Sequence, residues 1–460
     1  MPSYQLEISV TEKCNLGCPY CYVANQDKFM TPEIFDAAWP EFLQLIDRSK
    51  AYGGQFHLSF FGGEPLLNVP LMRHVAEKVN TPEYKDRLVG LTMISNLSLI
   101  TEEIADFLEE YKIGTSWSFD GISANESRPI IKNMGENKGY ANVLEMYNDK
   151  QHLIRRVTKY NKTCKVMIFP GNIDSMTENF EFLVEFGIPC PDFSIVRDDV
   201  WSLEDLHKFR VECRRMADKT IEYYEKGRLI SNGMFNLALQ DMLLGLSKQK
   251  RPFGCFAGHH GSIMSVDGTF YPCARFGSKK LLPMKGTEYN FDYFQSLFNP
   301  LAFDKCKGCG LYKVCNAGCT YSQLRNGNKP VDSVCELFHM YYEEAIRIVD
   351  KCKDMPVFQT YMKTLWGGRT GFYEPRDIEE KLDVFKMVDE SWDKVRNRRE
   401  ETDHAAYNEY RETLEFLQNK PGHNVKKVAQ EDPSEQFHGV TGGPAFDPSQ
   451  LKHKIQSQTA

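Results

Sequence analysis

The sequence predicts an α/β protein: a partial (β/α)6 TIM-like barrel, then a small cysteine-rich domain, then a helical C-terminal extension. Three observations lead there. Six short strand candidates alternate with helical stretches over residues 4–227, the pattern of a parallel, right-handed β/α array. Six units are too few to close the eight-stranded barrel, so a splayed one is expected. Most of the 14 cysteines gather in two blocks, one directly after the first strand and one between residues 255 and 335.

Size and composition bound the reading. A chain of 460 residues is longer than one ordinary domain. The expected divisions are 1–230 for the barrel, 231–352 for the cysteine-rich domain, 353–420 for the helical extension and 421–460 for a flexible tail. A net charge of −7 argues against a nucleic-acid partner held through phosphates. The N-terminus lacks a basic stretch followed by an apolar run, and no apolar segment approaches the ~20 residues that span a bilayer. No membrane partner is therefore expected. Fourteen cysteines without an export signal point to metal ligation in a reducing compartment, hence to a cytoplasmic protein.

The elements follow in order. The alternating run from Tyr4 to Val10 is the first strand. Thr31 and Pro32 open a helix running to about Ser49, as N-cap and first-turn residue. Gln55–Phe61 is the second strand, ending in Gly62-Gly63-Glu64-Pro65; a helix spans Pro70–Val79, and Gly90–Asn96 is the third strand. Residues 101–111 carry apolar positions at helical spacing with acidic residues at the start. The fourth strand begins at Gly114 and leads into Asp120-Gly121, followed by a long helical region to about Tyr160. Strands Cys164–Phe169 and Asp192–Val196 precede helices at 175–187 and 203–227. In such arrays chemistry gathers at the C-terminal strand ends.

The most informative stretch is Cys14-x3-Cys18-x2-Cys21, in the loop after the first strand. Closely spaced thiolates on one loop reach a single soft metal centre, and three of them leave one iron of a cubane cluster without a protein ligand. A zinc knuckle is the competing reading, but zinc wants a fourth Cys or His and none follows Cys21 closely. The motif resembles that of the radical SAM enzymes. That resemblance implies a 4Fe–4S cluster whose open iron is chelated by S-adenosylmethionine, which is split to a 5′-deoxyadenosyl radical that abstracts a substrate hydrogen. It implies a flavodoxin- or ferredoxin-type electron donor.

The same resemblance assigns the strand-end residues. Tyr20 matches the aromatic position near the adenine; its plain alternative is packing against the loop. Gly62, Gly63 and Glu64 match the segment that binds the S-adenosylmethionine amino group, whereas alone they read as a turn. Ser95 and Asn96, then Ser118 and Asp120, are similar to contacts to the methionine carboxylate and ribose; alone they read as turn formers. Arg128 would neutralise the cofactor carboxylate or be a surface arginine. Arg197 carries a weaker signal of the same kind.

The second block reads Cys255…Gly268-x4-Cys273…Cys306-x2-Cys309-x5-Cys315-x3-Cys319…Cys335. This order matches the SPASM extension of radical SAM enzymes; the alternative is a pair of zinc ribbons. Seven thiolates suit two clusters, three in all with the first. The resemblance places Cys255, Cys273 and Cys319 on an inner auxiliary cluster and Cys306, Cys309, Cys315 and Cys335 on an outer one. The inner set is one ligand short, leaving His259, His260, a substrate thiolate or an open iron. Cys164, Cys190, Cys213 and Cys352 fit no array and read as buried or incidental thiols.

One departure narrows the function. Anaerobic sulfatase maturases place an aspartate immediately after the cysteine of the Gly-x4-Cys element; here that residue is Ala274. Asp198, Asp199 and Tyr271 are candidate replacements for the base. The expected activity is an oxidoreductase modifying a peptide or protein side chain, by thioether formation, carbon–carbon crosslinking or oxidation. A small-molecule dehydrogenase of the same superfamily is the alternative, and a zinc-stabilised scaffold the remote one. The barrel starts almost at Met1, so capture of a leader peptide is expected from a separate protein, the C-terminal region or the cleft itself.

Overall fold

Alternation along the first strand sets the architecture. In β1 (Tyr4–Thr11) the side chains of Tyr4, Leu6, Ile8 and Val10 are at most 1% exposed, whereas Gln5 and Glu7 on the opposite face keep some surface. Tyr4 packs edge-on against Phe42 of helix α1 (Pro32–Ser49), so the apolar face meets the helical layer and the polar face lines the barrel interior. This computed structural model describes residues 3–49, 52–132, 134–159, 163–197, 201–236, 238–239, 257–258, 260–284, 303–307, 309, 311, 318–327 and 329–366.

The pattern recurs along the sheet. β2 (Phe56–Gly62), β3 (Leu88–Ser95), β4 (Gly114–Ser118), β5 (Thr163–Ile168) and β6 (Cys190–Ile195) pair in parallel, each with its sequence neighbour. Helices α2 (Val69–Val79) and α3 (Glu102–Glu110) fill the first crossovers, and Thr101 caps α3 as its position before the acidic turn predicts. α6 (Met176–Phe186) ends on Gly187 in the left-handed conformation, and α7 (Leu203–Glu225) opens with a Ser202–Asp205 capping box. The expected partial barrel is present.

Two features depart from the sequence reading. The region after β4 is not one long helix but a short α4 (Ala124–Ser127), an irregular stretch, and α5 (Val143–Thr158), capped by Asn142. Pro129, Gly135 and Gly139 interrupt helical propagation. The freed backbone bonds the cysteine loop instead: Gly17 N–H donates to Pro129 O at 2.8 Å, and Ile131 N–H to Asn15 O at 3.1 Å. The sheet also exceeds six strands. β7 (Gly261–Met264) adds in parallel beside β1, and β8 (Phe270–Tyr271) adds antiparallel to β7, giving the order 6-5-4-3-2-1-7-8. β7 thus covers what would be an unpaired edge of β1.

The later part of the chain returns to the barrel. The helix Asp332–Cys352 lies along α7, with Arg210 bonded to Glu343 at 3.1 Å and Arg347 to Asp218 at 2.7 Å. Phe358 and Tyr361, from the helix Pro356–Trp366, pack on Tyr224 of α7. The beginning of the proposed C-terminal extension is thus part of the body; its continuation and the expected tail lie outside the described residues. Among the described residues no helix is long and apolar enough to cross a membrane.

Candidate functional site

The site assembles at the C-terminal end of β1, where the cysteine loop leaves the sheet. Asn25 clamps Cys14, its Oδ1 accepting from Cys14 N–H and its Nδ2 donating to Cys14 O, both at 2.9 Å. A turn closed by Cys21 N–H to Cys18 O at 3.1 Å brings the other two thiols together. Cys14 and Cys18 are partly exposed and Cys21 exposed. Desolvation pushes all three thiols up; the Glu64 carboxylate adds to this at Cys14, while the Arg128 guanidinium opposes it at Cys18 and Cys21. Among the described residues no three His, Cys, Asp or Glu side chains converge as closely as a single ion demands. A cubane puts each thiolate on its own iron, so wider spacing on a common open face suits it. By donor type and placement, the three residues fit such a cluster.

The Gly-Gly-Glu turn is packed on this loop. A Cβ on Gly63 would come within 2.1 Å of Lys13 O, and one on Gly62, whose φ is 141°, within 2.1 Å of Thr11 O. Glycine is required here for close approach to the cysteine loop itself. Gly63 N–H donates to Thr11 O at 2.8 Å and Glu64 N–H to Lys13 O at 2.9 Å. Glu64 is 1% exposed and accepts from Ser95 Oγ–H (2.6 Å), Asn96 N–H (2.8 Å) and Leu66 N–H (3.1 Å); burial nevertheless pushes its carboxyl up to about 7. It caps the turn that follows.

A second polar knot fixes the loop from the other side. Asn15, fully buried beside Cys14, donates to Ser98 Oγ (2.8 Å) and Asn137 Oδ1 (2.9 Å) and accepts from Asn96 Nδ2 at 3.0 Å. The side chains of Ser95 and Asn96 are therefore engaged with protein groups that position the loop. Sequence reasoning missed Asn15 and Asn137; nothing in a lone asparagine announces a partner 122 residues away.

Tyr20, Asp120 and Arg128 form one unit. Asp120, fully buried, accepts from Tyr20 Oη–H at 2.6 Å, Arg128 Nη2 at 2.9 Å and Met167 N–H at 2.9 Å. The Arg128 guanidinium also lies over the Tyr20 ring, which leans on Phe169. The charge of Arg128 is thus answered by Asp120, and the residue is buried instead of lying on the surface. Its Nε, also buried, has no acceptor, a donor that a ligand carboxylate at this end of the barrel would satisfy. Ser118, closing β4, keeps some surface on the interior side. The buried Arg128 Nε and the partly exposed Ser118 suit the carboxylate and hydroxyls of S-adenosylmethionine.

The interior wall carries a residue that the sequence reading did not single out. Glu7 accepts from the Ala274 N–H, and burial pushes its carboxyl up to about 7. Tyr22, next to Cys21, feels the charges of Glu7, Arg275 and Cys273, and the Arg275 guanidinium sits 4.9 Å from the Tyr22 ring centre. A carboxylate thus reaches the position after Cys273 from β1, where the chain itself supplies only Ala274. Across the interior, Lys165 and Asp192 pair at 2.5 Å. Glu7 was hidden because a single acidic residue in a strand reads as its solvated face. Of the candidate bases, Tyr271 is buried in a small apolar cluster with Ile263 and Phe276, while Asp198 and Asp199 lie outside the described residues.

The second block is partly described. Cys273 ends the β8 turn and precedes the helix Ala274–Ser278, and Cys319 precedes the helix Thr320–Arg325; Tyr321 packs edge-on against Phe276. Cys309 N–H donates to Cys306 O at 3.1 Å, and Cys306 is close enough to Cys335 to oppose its ionisation. Three of the four outer-set thiols therefore lie near one another, Cys309 beside Cys306 and Cys306 beside Cys335, a donor set of the type an iron–sulfur cluster takes. Cys255, Cys315 and His259 lie outside the described residues. His260 precedes Gly261, which pairs with Gln5 at the far end of β1 from the first cysteine loop. Arg197 stacks over Phe338 at 5.3 Å in a cavity also lined by Cys319 and Cys335. Cys164, Cys190, Cys213 and Cys352 are buried.

Comparison with known proteins agrees with this geometry. An uncharacterised protein of Methanocaldococcus jannaschii, MJ0907, is 28% identical over 197 residues, 42% of this chain and 62% of that protein, just under two thirds of its length. A cysteine-type anaerobic sulfatase-maturating enzyme of Clostridium perfringens is 21% identical over 375 residues, covering 75% of this chain and 97% of that one. A solved structure of native anSMEcpe with bound AdoMet and Cp18Cys peptide shares the fold, with a TM-score of 0.60 at 20% identity over 77% of this chain and 99% of that one. Residues 8–184 match the model of the Radical SAM superfamily, a stretch that holds the second half of β1, β2 to β5, the three-cysteine loop and nearly all of α6: this part of the chain is similar to a radical SAM domain.

Proposed function

We propose that the protein is a radical SAM oxidoreductase that modifies a peptide or protein side chain, with Cys14, Cys18 and Cys21 as the cluster ligands. The observation that carries this reading is the placement of those three thiols, on one open loop at the C-terminal end of β1, facing the polar barrel interior. Those thiols would hold a 4Fe–4S cluster, which would supply the electron for reductive cleavage of S-adenosylmethionine. The chain's own residues orient: Gly62 and Gly63 press the Glu64 turn onto the loop, Asn15 anchors it, and Tyr20 and Asp120 fix the wall on which Arg128 presents its unused Nε. Ser118, Ser95 and Asn96 complete that wall.

A peptide substrate is supported by the sulfatase-maturating relative and by the peptide bound in the anSMEcpe structure. Two auxiliary clusters, on Cys255, Cys273 and Cys319 and on Cys306, Cys309, Cys315 and Cys335, belong to the same reading, as does a flavodoxin- or ferredoxin-type donor. Ala274 argues against the sulfatase-type base, and Glu7, reaching the same spot, gives the interior wall a different acceptor.

The deciding experiment is anaerobic reconstitution followed by reduction with S-adenosylmethionine present. Formation of 5′-deoxyadenosine that disappears when Cys14, Cys18 or Cys21 is replaced by Ala is expected. Zinc in place of iron and sulfide, or no 5′-deoxyadenosine from the intact loop, refutes the proposal. A mass change in a small peptide encoded beside the gene would then identify the substrate.

A further inference from the structure

Two polar side chains aim at the sulfurs of the outer cysteine set. His339 stands one helical turn after Cys335 on the helix Asp332–Cys352, so both point from the same face toward the Cys306–Cys309 turn. Its Nε2 lies 3.4 Å from Cys309 Sγ. Lys305, beside Cys306, is bonded to Asp332 and its ammonium reaches the Cys335 sulfur. Cys309 and Cys335 thus each meet a nitrogen donor from a different element.

Distance decides between direct ligation and hydrogen bonding. In a cubane each iron takes one protein ligand, so an imidazole bound to its own iron would stand farther than 3.4 Å from a neighbouring thiolate sulfur. What remains is an N–H···S contact. Donors on cluster sulfurs favour the reduced, more negative state, because they offset the added charge where it accumulates.

We propose that His339 and Lys305 are positioning donors to the outer cluster, bonding Cys309 and Cys335 and holding its reduction potential above that of a cluster with bare thiolates. The inference rests on the reading of the second block as a cluster site. It gives the outer set a role as an electron acceptor tuned by this chain's own residues.

The test uses full-length protein carrying Cys14, Cys18 and Cys21→Ala, so that only the second block binds iron, with and without Cys309→Ala to assign the outer signal. Redox titration followed by electron paramagnetic resonance should move the outer midpoint to more negative values in His339→Phe and in Lys305→Met, at unchanged iron and sulfide. His339→Gln, which keeps an N–H donor, should restore most of the shift. An unmoved midpoint in His339→Phe, or strong nitrogen hyperfine coupling showing direct ligation, overturns the proposal while leaving the cluster intact. Absence of iron and sulfide from the second block overturns the cluster reading itself.

Discussion

Asp120 and Arg128 form a buried ion pair, 2.9 Å between Oδ1 and Nη2, that joins the end of β4 to the segment bracing the cysteine loop. Each partner is nearly or fully inaccessible, and the second carboxylate oxygen holds Tyr20. The pair therefore links the wall of the site to the loop that carries the thiols.

Removing one charge from such a pair strands the other. Asp120→Asn is expected to cost about 3–5 kcal/mol in denaturant unfolding, because the guanidinium is left without its counter-ion. Adding Arg128→Met should recover part of that loss. A single-variant cost below about 1 kcal/mol would show that the pair is dispensable to the fold.

Gly63 admits no side chain. The Cβ of Gly63→Ala would overlap Lys13 O at 2.1 Å, and a backbone oxygen cannot swing aside. The variant is expected to lose more than about 1 kcal/mol of stability, and its first loop should bind less iron on reconstitution. Iron content equal to that of the parent protein would contradict this account.

Glu7 gives the fold a pH dependence. Its carboxyl titrates near 7 in the folded chain against an ordinary value of 4.5, because burial disfavours the charge. The unfolded chain releases this proton first as pH rises, so the contribution is complete below about 4.5 and is lost as pH climbs through about 7. In metal-free protein, Glu7→Gln should match the parent near pH 4 and exceed it at pH 8 by at most about 3 kcal/mol. Parallel stability–pH curves for the two proteins would refute the assignment.

Cys309 and the first loop should separate in function. Cys309→Ala is expected to spare S-adenosylmethionine cleavage but to lose modified product, raising the ratio of 5′-deoxyadenosine to product. Equal loss of both would refute a division of labour between the cysteine blocks.

The strands, most of the helices and both cysteine blocks were legible because each is a local pattern. Period-two alternation wrote β1, apolar spacing behind an acidic start wrote the helix after Thr101, and Cys-x3-Cys-x2-Cys needs only one loop to be meaningful. The segment after α4 was misread because Pro129, Gly135 and Gly139 sit amid helix-compatible residues whose backbone partners lie in a distant loop.

By itself, then, the sequence determined the β/α order, the polar strand ends and the spacing of the cysteines, since side-chain type and spacing along a chain are one-dimensional properties. Only the tertiary structure decided that Gly63 yields space to Lys13, that Asp120 neutralises Arg128, that β7 covers β1, and that Glu7 meets Ala274. Those outcomes depend on where desolvated charges and backbone groups find partners across more than a hundred residues in some cases, and closing such contacts is a property of the packed barrel and of no single stretch.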